Sequence, residues 1–315
     1  MSISTRDRRP TLPTRSVAAP PRRGPRLAQR LIPYGYLSPT VVLMVVLMLT
    51  PIVLVITYSV MDSVITSDES RFIGFDNYAQ VLTDTVFFTA VRNTIYFSLV
   101  SVVGHFFIGL TFAILLNTRL LSARTKALFR VIYIVPWVFT AAIIAVLWRL
   151  LLNPNGIVNY LLSTVGLADS GTEWLSNPDV ALHAVTFMNL WAGYPFFMVS
   201  LLAGLQGIPQ DLYEAARVDG ASWVRQFWHV TLPQLKPIII SMALLDFIWT
   251  THQFALIWLT TGGGPVVATE MLSTYIYKLA FSRYEFALAS ASAVLVLLVS
   301  LALAVLYVRH QKARD

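Results

Sequence analysis

The sequence predicts an all-α integral membrane protein of six transmembrane helices with both termini cytoplasmic. Three observations carry that prediction. First, the 315 residues are 56% hydrophobic and only 12% charged, with a mean hydropathy of +0.66. A soluble domain carries about 25% charged residues, so too little polar surface remains to cover a water-soluble fold. Second, six separate stretches are apolar over the roughly 20 residues needed to cross a ~30 Å hydrocarbon core. Third, Lys and Arg are distributed asymmetrically between the connections.

The first stretch is uncharged from Leu31 to Met61, with Val41–Val60 at its centre, and the second from Asn93 to Thr118. The third is Val131–Trp148, bounded by Arg130 and Arg149. The fourth lies within Val180–Leu202 and the sixth is Phe286–Val308. The fifth lies within Pro237–Thr260 and holds one acid, Asp246. Lipid leaves no water to satisfy an open strand edge, so these are helices. A barrel would instead show alternating segments of about ten residues.

Orientation follows from the 23 basic residues. Eight Arg precede the first span. Arg119, Arg124, Lys126 and Arg130 follow the second, Arg217, Arg225 and Lys236 follow the fourth, and Arg309, Lys312 and Arg314 close the chain. The other side has Arg71, Arg92, Arg149, Lys278 and Arg283. Residues 1–30 are expected to be a disordered basic cytoplasmic tail, because Pro10, Pro13, Pro20, Pro21 and Pro25 break any helix there. Residues 31–308 are expected to form the six-helix transmembrane domain, with the connection 207–236 on the cytoplasmic side, and residues 309–315 a short cytoplasmic tail.

Several chemistries are excluded or unsupported. There is no Cys, hence no disulfide or thiolate site. None of the four Lys follows a Gly, so there is no phosphate-binding P-loop. Basic residues lie between apolar runs rather than along one face, which argues against nucleic acid as a partner and for membrane lipid. Gly262, Gly263 and Gly264 read as a flexible loop mouth.

The connection between spans four and five is long for a loop. It reads as two short helices. Pro209 suits a first helical position, and Asp211 and Glu214 favour the positive end of the dipole. Gly220 ends that helix and Ser222 caps the next. Trp223, Phe227 and Val230 then share one face, and Pro233 and Pro237 stop the helix before span five. Glu214 and Arg217 are spaced for an i,i+3 pair. On physics alone, an amphipathic pair lying on lipid headgroups and a docking surface for a partner are equally good readings.

Within span five, Asp246, Trp249 and Gln253 fall on one helical stripe at 100° per residue. A carboxylate, an indole and an amide suit a sugar. Asn189, Trp191 and Tyr194 in span four offer similar chemistry. For each residue the alternative is a hydrogen bond between helices, typically worth about 0.6 kcal/mol. His252 points towards a partner helix, and His105 and His183 read as structural.

Glu214-Ala215-Ala216, three residues, Gly220, nine residues and Val230-Thr231-Leu232-Pro233 resemble the EAA loop of binding-protein-dependent ABC importer permeases. Val230 stands where isoleucine is commoner. Asp219-Gly220-Ala221, Leu259-Thr260-Thr261-Gly262-Gly263-Gly264-Pro265, Tyr275-Ile276-Tyr277 with Ala280-Phe281, and Phe72-Ile73-Gly74-Phe75-Asp76-Asn77-Tyr78 are similar to the carbohydrate branch, the maltose and glycerol-phosphate permeases with the longer outward loop. The resemblance spans about residues 33–307. It implies the type I importer permease architecture and a bacterial inner-membrane location. It also implies half of a sugar translocation pathway, with no catalysis and no cofactor on this chain. ATP and Mg would sit on a separate cytoplasmic ATPase dimer. The further partners are a second homologous permease and an extracytoplasmic sugar-binding protein. Glu214, Ala215, Ala216, Asp219, Gly220, Leu232 and Pro233 would couple the ATPase. The competing reading is a proton-coupled secondary transporter using Asp246.

Overall fold

The computed structural model describes residues 27–312 except 63, 66–69, 119 and 168–170; side chains are described from residue 34, and not at 306–307 or 310–312. The expected disordered tail therefore lies outside the described residues up to position 26. Residues 27–30, assigned to that tail, are helical instead. The chain divides into two compact units, residues 1–53 and 54–315. The first carries most of helix α1, Leu27–Tyr58, whose side chains from Tyr34 to Leu54 are almost all exposed.

The second unit begins with a short α2, Asp76–Val81, followed by the long α3, Thr85–Asn117. Asp84 starts α3: its Oδ1 accepts from Val86 N at 2.8 Å, which satisfies one of the unpaired first-turn donors. Its Oδ2 accepts from Tyr275 Oη at 2.7 Å. Burial first, and then this carboxylate, raise the Tyr275 phenol well above its ordinary range.

The third crossing differs from expectation. Ala123–Val138 (α4) and Ala141–Leu151 (α5) meet at a bend of 98° rather than forming one straight span. Two residues explain the break. Phe139 is extended, and Thr140 caps α5 through Oγ1, which accepts from Ile143 N at 3.4 Å. Pro136, just upstream, removes a backbone donor from α4. Among the described residues, five helices are thus long and apolar enough to cross a membrane, and the bent pair brings the number to six when counted as one span.

After α6, Ile157–Thr164, comes α7, Ala181–Gly207. Helices α3 and α7 pack closely because glycines remove side chains from their contact. A Cβ on Gly109 would lie 2.6 Å from Phe197 Cβ, and one on Gly193 would collide with the His105 ring. The segment after α7 holds α8, Gln210–Val218, and α9, Trp223–Gln226. A π turn, Phe227–Thr231, joins α9 to α10, Leu232–Thr251, giving one apolar run over Trp223–Thr251. Pro233 and Pro237 therefore do not stop the helix. The wide turn bonds Leu232 N to Phe227 O, which gives the Pro233 ring room where a regular turn would place a carbonyl. Span five thus begins before Pro237, earlier than predicted, and ends at Thr251, inside the predicted window.

The chain closes with α11, Ala255–Thr260, α12, Leu272–Tyr277, a π turn, Lys278–Ser282, and α13, Phe286–Lys312. Helix α13 continues past Val308, the predicted end of the sixth span, as far as Lys312. Among the described residues, three apolar clusters form the interior of this unit. One gathers Phe97, Trp148, Met188 and Leu256, a second Leu116, Phe197, Leu201 and Leu235, and a third Phe87, Tyr275 and Leu279.

Candidate functional site

The segment between α7 and α10 is built from local signals. Helix α8 ends in a Schellman motif: Ala221 N bonds Ala216 O at 2.9 Å and Gly220 N bonds Arg217 O at 3.0 Å. Gly220 supplies the required left-handed conformation at φ +76°. Asp219 is the residue at the helix end, and Pro209 stands one place before the helix rather than at its first position. Ser222 Oγ accepts from Arg225 N at 3.4 Å and starts α9. The outward face of α8 exposes Glu214, Ala215 and Arg217, with Ala216 half-buried. The expected Glu214–Arg217 ion pair does not form. On a solvated helix such a pair is worth only tenths of a kcal/mol, which does not hold two long side chains together.

The inward face is tied down. Tyr213 Oη and Thr231 Oγ1 are 2.9 Å apart, joining α8 to the π turn. Tyr213, Phe227 and Val230 pack on the second apolar cluster, while Trp223 remains 68% exposed. Two of the three residues of the apolar stripe are therefore used. Leu232 is half-buried and Pro233 exposed at the start of α10. A cleft of about 780 Å³ opens beside these elements, lined by Leu121, Tyr213, Arg217, Trp223 and Phe227 among others.

Deeper in the unit, α3, α7 and α10 meet in a polar network. His105 Nδ1 lies 2.8 Å from Asp246 Oδ2, and His105 Nε2 lies 3.0 Å from the Asn189 backbone oxygen. Both side chains are buried, at 1% and 7% exposure. Asn189 Nδ2 donates to Ser101 Oγ at 2.9 Å, and its Oδ1 accepts from Gln253 Nε2 at 3.5 Å. Thr250 Oγ1 donates to Asp246 Oδ1 at 3.4 Å.

The residues read from the sequence are thus only partly brought together. Asn189, Asp246 and Gln253 belong to one network. Trp249 is 56% exposed and packs on Phe196, away from Asp246. The predicted stripe fails inside α10, where Trp249, about 60° round the helix from Asp246, is turned to the exposed side while Asp246 is buried; Gln253 reaches the network from beyond the helix end at Thr251. Trp191 stacks on Phe139 at the α4–α5 bend, and Tyr194 donates to Tyr133 O at 3.0 Å. His252 faces α13, with Nε2 3.1 Å from Ser300 Oγ. His183 pairs with Tyr96 at 2.7 Å.

A second polar centre escaped the sequence reading. Glu270 is 1% exposed and forms an ion pair with Lys278. Gly263, at φ +88°, lies against this pair, so any larger residue there would meet both side chains. Asn93 Nδ2 reaches the Ala268 and Glu270 carbonyls at 3.0 and 3.1 Å. Thr269 bonds Thr261 at 2.6 Å. The segment read as a flexible mouth is densely hydrogen-bonded. The sequence signal was Glu270 standing eight residues before Lys278, with an α3 amide as the long-range partner. Among the described residues no group of three or more His, Asp or Glu is placed to hold a metal ion.

Residues 105–314 match the family described as binding-protein-dependent transport system inner membrane component. The chain is 33% identical to the probable ABC transporter permease protein YurN of Bacillus subtilis, over 90% of this chain and 97% of that one. It is 36% identical to the trehalose/maltose transport system permease protein MalF of Thermococcus litoralis, over 92% and 97%. The fold is similar to a chain of the bacterial alginate ABC transporter solved in complex with an alginate pentasaccharide-bound periplasmic protein. That similarity has a TM-score of 0.78 at 24% identity, over 90% of this chain and 96% of that one.

Proposed function

We propose, from the premise that this chain belongs to the family of binding-protein-dependent transport system inner membrane components, that it forms one half of the translocation pathway of an ATP-driven sugar importer. The chain is an ABC transporter permease of the sugar-transporting group and a multi-pass membrane protein. In the proposed arrangement both termini are cytoplasmic in a bacterial inner membrane. A second homologous permease completes the pathway, a separate ATPase dimer holds ATP and Mg, and an extracytoplasmic binding protein delivers the sugar.

One observation carries the coupling mechanism. The exposed helix α8 is fastened through Tyr213 and Thr231 to the foot of a helical run, Trp223–Thr251, that also bears Asp246. At 1.5 Å per residue, about 35 Å of helix separates Trp223 from Asp246. An ATPase seated on Glu214, Ala215 and Ala216 would move α8, and the run would pass that movement to the polar network. Asp219 and Gly220 fix the end of α8, and Leu232 and Pro233 fix the root of α10.

The test replaces Gly220 with Pro or Glu214 with Lys. Proline locks φ near −65°, against the observed +76°, and removes the N–H that bonds Arg217 O. Both variants are expected to insert normally and to lose substrate-stimulated ATP hydrolysis by the partner. Normal uptake by both would contradict the coupling role.

A further inference from the structure

The His105–Asp246 contact contains a proton that can be located without seeing hydrogens. The Asn189 backbone oxygen only accepts, so His105 Nε2, 3.0 Å away, carries a hydrogen and donates it. In a neutral ring that is the only N–H, and Nδ1 then presents a lone pair. A carboxylate oxygen also presents only lone pairs. Two lone pairs facing each other at 2.8 Å, with both side chains buried, repel. A second proton must lie on that bond, held either by Nδ1 or by the Asp246 carboxyl. In both cases the couple is neutral as a unit.

The surroundings are built for this one arrangement. Gly193 leaves the space that the His105 ring occupies, since a Cβ there would meet Nε2. Phe197 packs on the ring at 6.2 Å between centroids. Thr250 Oγ1, at 3.4 Å, is the further polar contact of the carboxyl. Among the described residues no Arg, Lys or second acid is ion-paired with either partner. His105 therefore acts on two helices at once. It neutralises the acid of α10 and holds the backbone of α7 at Asn189, whose side chain bridges Ser101 and Gln253.

We infer that His105 and Asp246 share one proton and that His105 is the positioning residue of this half of the pathway, holding Asp246 and Asn189 in register across α3, α7 and α10. This rests on the proposed importer function, and the test separates the two. The assembled transporter, carrying this chain labelled with 15N-histidine, is reconstituted in lipid and observed by solid-state NMR and infrared spectroscopy at about pH 8, where exposed histidines are neutral. The expected result is a proton on the bond. It appears either as a His105 ring protonated on both nitrogens or as a protonated-carboxyl stretch that Asp246→Asn removes. In the uptake arm, His105→Leu lowers ATP-driven uptake at least tenfold, because it strands the Asp246 carboxyl. Adding Asp246→Leu to that variant recovers at least threefold.

A His105 with a single ring proton beside an ionised Asp246 overturns the inference. So does wild-type uptake by His105→Leu, or a double variant no better than the single one. The spectroscopic arm uses the unaltered chain, so it decides even where a variant fails to fold. If the unaltered assembly shows no ATP-driven uptake, the importer function fails while the spectroscopic result still decides where the proton is.

Discussion

Gly109→Ala tests the packing of the two long helices at the centre of the second unit. In a helix this exchange normally stabilises by about 0.5–1 kcal/mol, because Gly loses more backbone freedom on folding. Here the added methyl would lie 2.6 Å from Phe197 Cβ and 2.8 Å from Met198 N, against the 3.4 Å at which such contacts become ordinary. Both neighbours belong to or adjoin the α7 backbone and cannot rotate away. Helix α3 would have to withdraw by several tenths of an ångström from a face that also carries His105. Overpacking of this kind costs about 1–3 kcal/mol, which exceeds the entropic gain and fixes the sign as destabilising. Gly204→Ala is the matched comparison. Its Cβ would meet Ile238 Cδ1 at 2.6 Å and Leu235 Cδ2 at 2.8 Å, the ends of flexible side chains that can turn aside. Unfolding midpoints of the purified protein, followed by tryptophan fluorescence, should fall for Gly109→Ala and change little for Gly204→Ala. A Gly109→Ala protein as stable as the parent, or equal losses at both sites, would refute the reasoning.

Other outcomes follow from the outer segment. Asn93→Ala leaves the Ala268 and Glu270 carbonyls without their donor, at about 1–3 kcal/mol for each buried group left unsatisfied. Limited proteolysis should then cut faster within residues 262–270. Lys278→Met strands a carboxylate that is 1% exposed, and removing one partner of a buried pair costs about 3–5 kcal/mol. Lys278→Met with Glu270→Gln should recover most of that loss in the same unfolding measurement, and a double variant no more stable than the single one would contradict the pairing.

What could be read in the sequence depended on how local its cause was. Charge-free runs located the crossings, because the need for about 20 apolar residues acts on each segment separately. The cap at Ser222 and the turn at Gly220 were legible because a hydroxyl and a glycine decide them within a few residues. The bend at Phe139–Thr140 was not, since an uncharged run carries no signal of direction, and Thr140 looks like any residue inside a span. Pro233 and Pro237 misled for a related reason. A π turn absorbs Pro233, and nothing in the local pattern announces it. The partner of Asp246 lies 141 residues away, beyond any periodicity. Glu270 was hidden in a segment counted as loop, although its burial equals that of the core.

In the proposed mechanism a separate motor drives sugar through this permease by way of helix α8. The most direct measurement is uptake into sealed vesicles containing the assembled transporter, energised in turn by ATP with external binding protein and by a proton gradient alone. The account predicts uptake only with ATP and the binding protein, lost in Gly220→Pro. Uptake driven by the proton gradient without nucleotide would contradict it.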